Sequence, residues 1–314
     1  MKPAKSGASN PLLMFYRSFS NEIRRRFGEK LYKLSLDGGM SCPNRDGTLG
    51  HGGCIFCSGG SGEFAAGQRP SIEEQLENAR ARVAFKAGSN GRFIAYFQSY
   101  TNTYAPAQRL RELFMPVITR DDIAVLDIAT RPDCLGDEVL DLLAELNEIK
   151  PVWVELGLQT IHENTARHIR RGYPLSVYDR AVRELKARGI EVIVHMILGL
   201  PHETDEMIYE TASYIAKSGA NGIKLQLLHV LRGTDLAKEY EAGKFETLTI
   251  EHYTQLLEGC ISRLREDMTV HRITGDGAKR ELIAPMWSAD KKKVLSYINS
   301  AFERDGLCQG SLYK

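Results

Sequence analysis

No uninterrupted apolar run in the 314 residues approaches the length needed to span a bilayer. Near the N-terminus the only apolar stretch is Leu12-Leu-Met-Phe-Tyr16. It is too short for a secretory h-region followed by a cleavage site, and Met1 to Asn10 before it is polar. Charge of one sign is also missing: 41 Lys and Arg against 40 Asp and Glu leave +1. No global field therefore draws the chain to nucleic acid or to an acidic membrane. Only six cysteines occur, and three of them cluster, unlike a secreted disulfide framework. Reduced thiols that ligate a metal fit better, which leads us to expect a soluble, cytoplasmic protein. The composition, 43% hydrophobic and 26% charged, is ordinary for a globular enzyme, and 314 residues fit one large α/β domain or one domain with a small appendage. Two local basic patches stand out, Arg24-Arg25-Arg26 and the group His271-Arg272, Lys279-Arg280 and Lys291-Lys292-Lys293. Such runs read first as solvated faces and only second as phosphate contacts.

The three clustered cysteines are Cys42, Cys54 and Cys57, spaced Cys-x11-Cys-x2-Cys in a glycine-rich stretch, with Phe56 before the last. A Cys-x2-Cys bite plus one distant thiolate can hold a metal centre on a single loop. Three thiolates leave one coordination position open, as a catalytic centre requires. A structural zinc site would need a fourth ligand, for which His51 is the nearest candidate.

Alternating β-rich and helical stretches surround this loop. Leu31 to Leu36, Arg92 to Gln98, Ile123 to Ala129, Val152 to Gly157, Glu191 to Leu198 and Gly222 to Leu228 read as strands. Ser71 to Lys86, Ala105 to Val117, Asp137 to Asn147, residues 161–188 and Thr204 to Lys217 read as helical, the first with Ser71 and Glu74 in capping-box spacing. Apolar strands alternating with helices predict a parallel sheet covered by helices. Six such units predict an α/β fold, a partial (β/α)6 TIM-like barrel. The expected division is an N-terminal extension over 1–30, the barrel over 31–230, and a helical and β extension over 231–314 that contains the β-like run Met268 to Ile273.

In a parallel barrel the reactive groups gather at the C-terminal ends of the strands. Here those ends carry the cysteines, Gln98-Ser99-Tyr100, Thr130-Arg131-Pro132-Asp133-Cys134, Glu155 with Gln159, His195, and Lys224 with Gln226 and His229. A polar group buried in an apolar strand costs about 1–3 kcal/mol if unpaired. Six strands tolerating such groups at the same end imply a shared ligand cavity.

Taken together, these residues resemble the radical S-adenosylmethionine (SAM) superfamily, and within it the YhcC/YtqA-like branch. That branch is similar to the radical-SAM half of the elongator catalytic subunit, a tRNA-modifying protein. The resemblance runs from about residue 30 to 300. It rests on Cys-Pro-Asn-Arg-Asp-Gly at 42–47, Gly52-Gly-Cys-Ile-Phe-Cys57, Thr130-Arg-Pro-Asp-Cys-Leu135, Trp153-Val-Glu-Leu-Gly-Leu-Gln-Thr160 and His195-Met-Ile-Leu-Gly-Leu-Pro201. Gly222-Ile-Lys224, Leu228-His229, Arg272-Ile-Thr-Gly-Asp-Gly277 and Leu282-Ile-Ala-Pro-Met-Trp287 carry it further. The chain departs from the family in the eleven-residue first gap, in His202 where glycine is usual, and in Tyr173 where histidine is common.

The resemblance implies that Cys42, Cys54 and Cys57 bind three irons of a 4Fe–4S cluster and leave the fourth to SAM. Reduction would then yield methionine and a 5′-deoxyadenosyl radical. It further implies Phe56 beside the adenine, Gln98 and Ser99 at the methionine moiety and Gln159 at the ribose. Arg171 would partner the carboxylate, Glu155 would be a polar pocket residue, and Leu198 to Pro201 would support the adenine. His195, Lys224 and His229 are the catalytic candidates, with Gln226 beside them. Tyr100, Tyr104 and Cys134 are weighed as radical partners against a plain packing role. An electron donor such as flavodoxin or ferredoxin is implied. A tRNA or RNA base is the expected substrate, with a small metabolite or free modified base as the alternative. A non-catalytic zinc or iron–sulfur protein that binds nucleic acid is the alternative of a different class.

Overall fold

The computed structural model describes residues 15–58, 70–87, 91–275, 277 and 280–314. Lys279 of the second basic patch, Asp276 and Met1 to Asn10 lie outside them. Seven parallel strands form one curled half-barrel sheet in the order β1 (Tyr32–Leu36), β2 (Phe93–Phe97), β3 (Ile123–Thr130), β4 (Val152–Gln159), β5 (Glu191–Leu198), β6 (Gly222–Leu227) and β8 (Thr269–Arg272). The six strands read from sequence follow one another in order, and the β-like run from the C-terminal region adds the seventh. A short antiparallel pair, β7 (Val230–Leu231) with β9 (Leu282–Ala284), lies outside this sheet.

Helices cover the outer face: α2 (Ile72–Ala87), α3 (Ala107–Ile118), α4 (Asp137–Ile149), α5 (Glu163–His168), α6 (Leu175–Ala187) and α7 (Asp205–Lys217). After β7 come α8 (Asp235–Glu241), α9 (Ile250–Ser262) and α10 (Lys291–Asp305). The capping box starting α2 forms as its spacing predicts: Ser71 Oγ accepts from Glu74 N at 3.2 Å, and Ser71 N donates to Glu74 Oε2 at 2.8 Å. Both faces of β2 and β3 are buried along their whole length, which is why these strands read as continuous apolar runs rather than alternating ones.

The N-terminal ends of the strands are closed by α1 (Phe19–Phe27). Ile23 is buried among Ile94, Val125, Trp153 and Ile193, and Phe19 meets the Trp153 ring edge-on at 6.1 Å. Glu22 gathers Arg17, Arg25 and Arg26, and Arg26 also reaches Glu191 at 2.5 Å. The hydrogen bond from Arg25 leads the effects that hold Glu22 down to about 2. Arg25 and Arg26 of the first basic patch are thus ion-paired, while Arg24 donates to Ser20 Oγ at 3.3 Å, and the patch sits at the end of the barrel opposite the cysteine loop. The second patch divides: His271 packs on Phe19 and Trp153, Arg272 lines the central cavity, and Lys291 to Lys293 are exposed at the start of α10. The cavity of the half-barrel lies at the other end, where the C-terminal strand ends gather.

Candidate active site

Cys42 begins a tight turn whose carbonyl accepts from Arg45 N at 2.8 Å and Asp46 N at 3.2 Å. The chain then doubles back through Gly52 and Gly53, both at positive φ, where a side chain would strain the backbone. Gly53 N donates to Asn44 O, and Cys57 N to Cys54 O, both at 2.9 Å. These bonds bring the Cys-x2-Cys bite back beside Cys42. All three thiols line one cavity of about 750 Å³ at the C-terminal ends of the strands, within the size range of cofactor sites.

Burial first, and then Cys57, push the Cys54 thiol up to about 11; burial likewise raises Cys57. Such thiols ionise only against compensating positive charge, which coordinated iron provides. Among the described residues no three His, Cys, Asp or Glu side chains are placed to share a single metal ion. Three thiolates lining one cavity are the soft donor set that iron–sulfur clusters take. His51 packs against Gly47 and does not line the cavity, so it supplies no fourth ligand for a zinc site. The donor set fits an iron–sulfur cluster.

Below the thiols the barrel interior is a charged layer centred on Glu155, which is 0% exposed. Glu155 accepts from Lys224, from Lys33 at 3.0 Å, from His195 Nε2 at 2.7 Å and from Tyr96 OH at 2.8 Å. Lys33 Nζ also donates to Asp127 Oδ2 at 2.6 Å. Burial opposes ionisation of Glu155, but Lys224 and Lys33 outweigh it and hold the carboxyl well below its ordinary range. Burial, then the neighbouring Glu155, push Asp127 up to about 7. Burial and Lys224 pull His195 down to about 4, so its imidazole is neutral at physiological pH. Burial also lowers Lys224 to about 8, against the pull of Glu155.

The rest of the wall combines guanidinium groups, Arg45, Arg131, Arg171 and Arg272, with uncharged polar side chains. Among the described residues the side chains of Ser35, Gln98, Gln159 and Gln226 line the cavity without a protein hydrogen-bond partner. The Gln159 Oε1 is a buried acceptor with nothing to accept, and its φ of +69° is strained for a residue with a side chain. A bound ligand with hydroxyl or N–H donors would satisfy it.

The structure thus brings Cys42, Cys54, Cys57, Phe56, Gln98, Glu155, Gln159, Arg171, His195, Lys224 and His229 to one cavity, with Gln226 and Tyr100. Ser99 and Leu198 are fully buried and do not line it. Tyr104 and Cys134 border a separate cavity of about 640 Å³. Arg171 reaches the wall, but its guanidinium donates to Thr160 O at 2.6 Å, Tyr173 O at 3.0 Å and Glu163 Oε1 at 3.0 Å. His229 is held by Ser288 Oγ at 3.1 Å. Sequence reasoning missed Lys33, Tyr96, Asp127 and Arg45. Lys33 and Asp127 were findable, as charged residues inside otherwise apolar strands.

A parallel half-barrel with three thiols over a polar cavity at its open end defines a barrel enzyme built around an iron–sulfur cluster. The family model of the Radical SAM superfamily matches residues 47–215, and that of the Radical_SAM C-terminal domain matches 220–304. YtqA of Bacillus subtilis is 47% identical over 95% of this chain and 93% of its own length. A Methanocaldococcus jannaschii protein named tRNA uridine(34) acetyltransferase is 24% identical over 72% of this chain, which spans 49% of that protein. In fold, the archaeal Elp3 of Methanocaldococcus infernus superposes with a TM-score of 0.68 at 16% identity, over 89% of this chain and 64% of that one. The chain belongs to the radical SAM superfamily. It is an enzyme whose cofactors are a 4Fe–4S cluster and SAM. No helix among the described residues is long and apolar enough to cross a membrane.

Proposed function

We propose that this enzyme directs its radical at a nucleobase of tRNA turned into the cavity. The observation that carries this reading is the set of uncharged polar side chains on the wall, Ser35, Gln98, Gln159 and Gln226. Lys33 and Lys224 of the floor donate to Asp127 and Glu155, Arg171 is held by Thr160, Tyr173 and Glu163, and Arg131 by Asp133. The unpartnered groups above them are amides and a hydroxyl, each able to donate and accept. Such groups suit the edge of a flat heterocycle better than a phosphate. The tRNA named for the archaeal relative supports the same class of substrate.

When bound, the cluster and SAM supply reductive cleavage to methionine and a 5′-deoxyadenosyl radical, chemistry that belongs to the cofactors. In this reading Cys42, Cys54 and Cys57 hold the cluster, while Phe56, Gln98 and Gln159 line the part of the cavity that receives SAM. Glu155 fixes His195 as the tautomer with hydrogen on Nε2, leaving Nδ1 as the ring's acceptor for a substrate N–H or O–H. Lys224 keeps Glu155 ionised and Gln226 orients the substrate edge. An electron donor of the flavodoxin or ferredoxin class serves the enzyme in the reducing cytosol.

A second reading, a small metabolite or free modified base, is favoured by the placement of Arg24–Arg26 away from the cavity mouth, with Arg25 and Arg26 held by Glu22 and Arg26 also by Glu191. One experiment separates the two. Bulk tRNA from cells deleted for the gene is incubated anaerobically with reduced enzyme and SAM, digested, and its nucleosides compared by mass spectrometry. A changed nucleoside, together with tRNA binding that weakens steeply with salt, supports the tRNA reading. An unchanged profile and no binding at low salt reject it in favour of the metabolite.

A further inference from the structure

Two side chains of the cysteine loop donate hydrogen bonds to its sulfurs. Arg45 Nη1 lies 3.5 Å from Cys57 Sγ, and Asn44 Nδ2 lies 3.6 Å from Cys54 Sγ. Neither side chain is loosely placed. Arg45 runs along Gly53, where a Cβ would come within 2.9 Å of its Nη1 and 3.2 Å of its Cγ, and its guanidinium stands 5.4 Å from the Tyr100 ring centroid. Asn44 is buried; its Nδ2 also donates to Arg170 O, and its Oδ1 fills the space where a Cβ on Gly172 would sit, 2.6 Å away. Glycines at 53 and 172, both at positive φ, thus leave room for the two donors. A third group, Arg131, is fixed by a paired contact to Asp133 at 2.9 and 2.7 Å, and its charge acts on Cys54.

Reduction adds one electron, and so one negative charge, to a cluster already surrounded by three thiolates. N–H donors on the sulfurs and a nearby positive charge favour the reduced state over the oxidised one. Arg45 contributes both, while Asn44 contributes the donor alone. We propose that Arg45, with Asn44 beside it, sets the reduction potential of the cluster and raises it into the reach of a moderate one-electron donor. Arg45 is a positioning and tuning residue: it acts through Cys57 and carries no proton or group in the reaction. The inference requires only the cluster and is independent of the substrate.

The test is an anaerobic redox titration of the reconstituted enzyme, following the electron paramagnetic resonance signal of the reduced cluster, with iron content measured alongside. At a fixed potential near the wild-type midpoint, Arg45→Met should hold its iron but show at least a tenfold lower ratio of reduced to oxidised cluster, a shift of about 59 mV for one electron. Arg45→Lys, which keeps the charge but not the fork, should fall between the two. Asn44→Asp, which replaces the donor by an anion, should fall in the same direction. Wild-type iron content with an unchanged midpoint in Arg45→Met would overturn the proposal. So would loss of iron from both Arg45→Met and Arg45→Lys, which would make the side chain a structural support of the loop. If only Arg45→Met fails to hold iron, the midpoint of Arg45→Lys decides: below wild type supports the proposal, equal to it rejects the proposal.

Discussion

Replacing Lys224 by methionine tests the buried charge layer directly. Lys224 is 3% exposed and Glu155 0%. The ammonium reaches the Glu155 carboxylate and, at 3.0 Å, the Tyr96 hydroxyl. Methionine fills a similar length but leaves Glu155 short of one cation. Breaking a buried pair by removing one partner costs about 3–5 kcal/mol. Lys33, Tyr96 and His195 still face Glu155, so the lower end, about 3 kcal/mol, is expected. For 314 residues, an unfolding entropy of about 2.1 cal/mol/K per residue converts this to a Tm loss of about 4–5 °C. The double variant Glu155→Gln, Lys224→Met removes both charges, and it should recover at least half of that loss. Thermal unfolding followed by circular dichroism at neutral pH, on samples matched for iron content, reads both. A single variant within about 1 °C of wild type, or a double variant at least as unstable as the sum of its parts, would refute the reasoning.

Asp127 supplies a pH signature. Its carboxyl is pushed up to about 7 in the folded state, by burial and then by Glu155, against an ordinary value near 4. Between those values the folded chain holds a proton that the unfolded chain has released, so this group's contribution falls as pH rises. Asparagine cannot titrate yet still accepts from Lys33. The Tm of Asp127→Asn minus that of wild type should therefore increase by a few degrees between about pH 4.5 and 7.5; a flat difference contradicts the assignment. His195 works in the opposite sense. Its folded value near 4 lies below the ordinary 6.5, so stability is lost as pH falls through that window, and His195→Gln should flatten the acid limb of the profile. His202 holds φ +69°, a conformation that costs a side-chain-bearing residue about 1 kcal/mol or more. His202→Gly should raise Tm by about 1–2 °C despite losing the ring contact to His168 at 5.5 Å, and a lowered Tm would count against strain at this turn.

Local signals were legible wherever the physics is local. Glu191 to Leu198 forms a strand over the span its β-branched residues predict, and Thr204 caps α7 by accepting from Met207 N at 3.4 Å. The gathering of polar strand ends into one cavity was also readable, because parallel topology sends all those ends the same way. What escaped depends on partners distant in sequence. Lys33 meets Asp127 and Glu155 from 94 and 122 residues away, and no local pattern announces such a match. The helix Phe19–Phe27 is amphipathic on its face, but its sequence does not say that it closes the barrel floor. Arg26 of the first basic patch pairs with Glu191, which lies on a strand 165 residues further along the chain. The left-handed backbone at His202, φ +69°, is a conformation that favours glycine, and no local pattern in the sequence announces it.

The most direct test of the account is the cluster itself. The protein is purified anaerobically, its iron and sulfide are quantified, and deoxyadenosine is assayed after dithionite reduction with SAM. The account predicts about four irons per chain and deoxyadenosine formed, with both lost when Cys42, Cys54 or Cys57 is replaced by alanine. Stoichiometric zinc without iron uptake, or a Cys54→Ala variant that keeps its brown chromophore and its SAM cleavage, would contradict it.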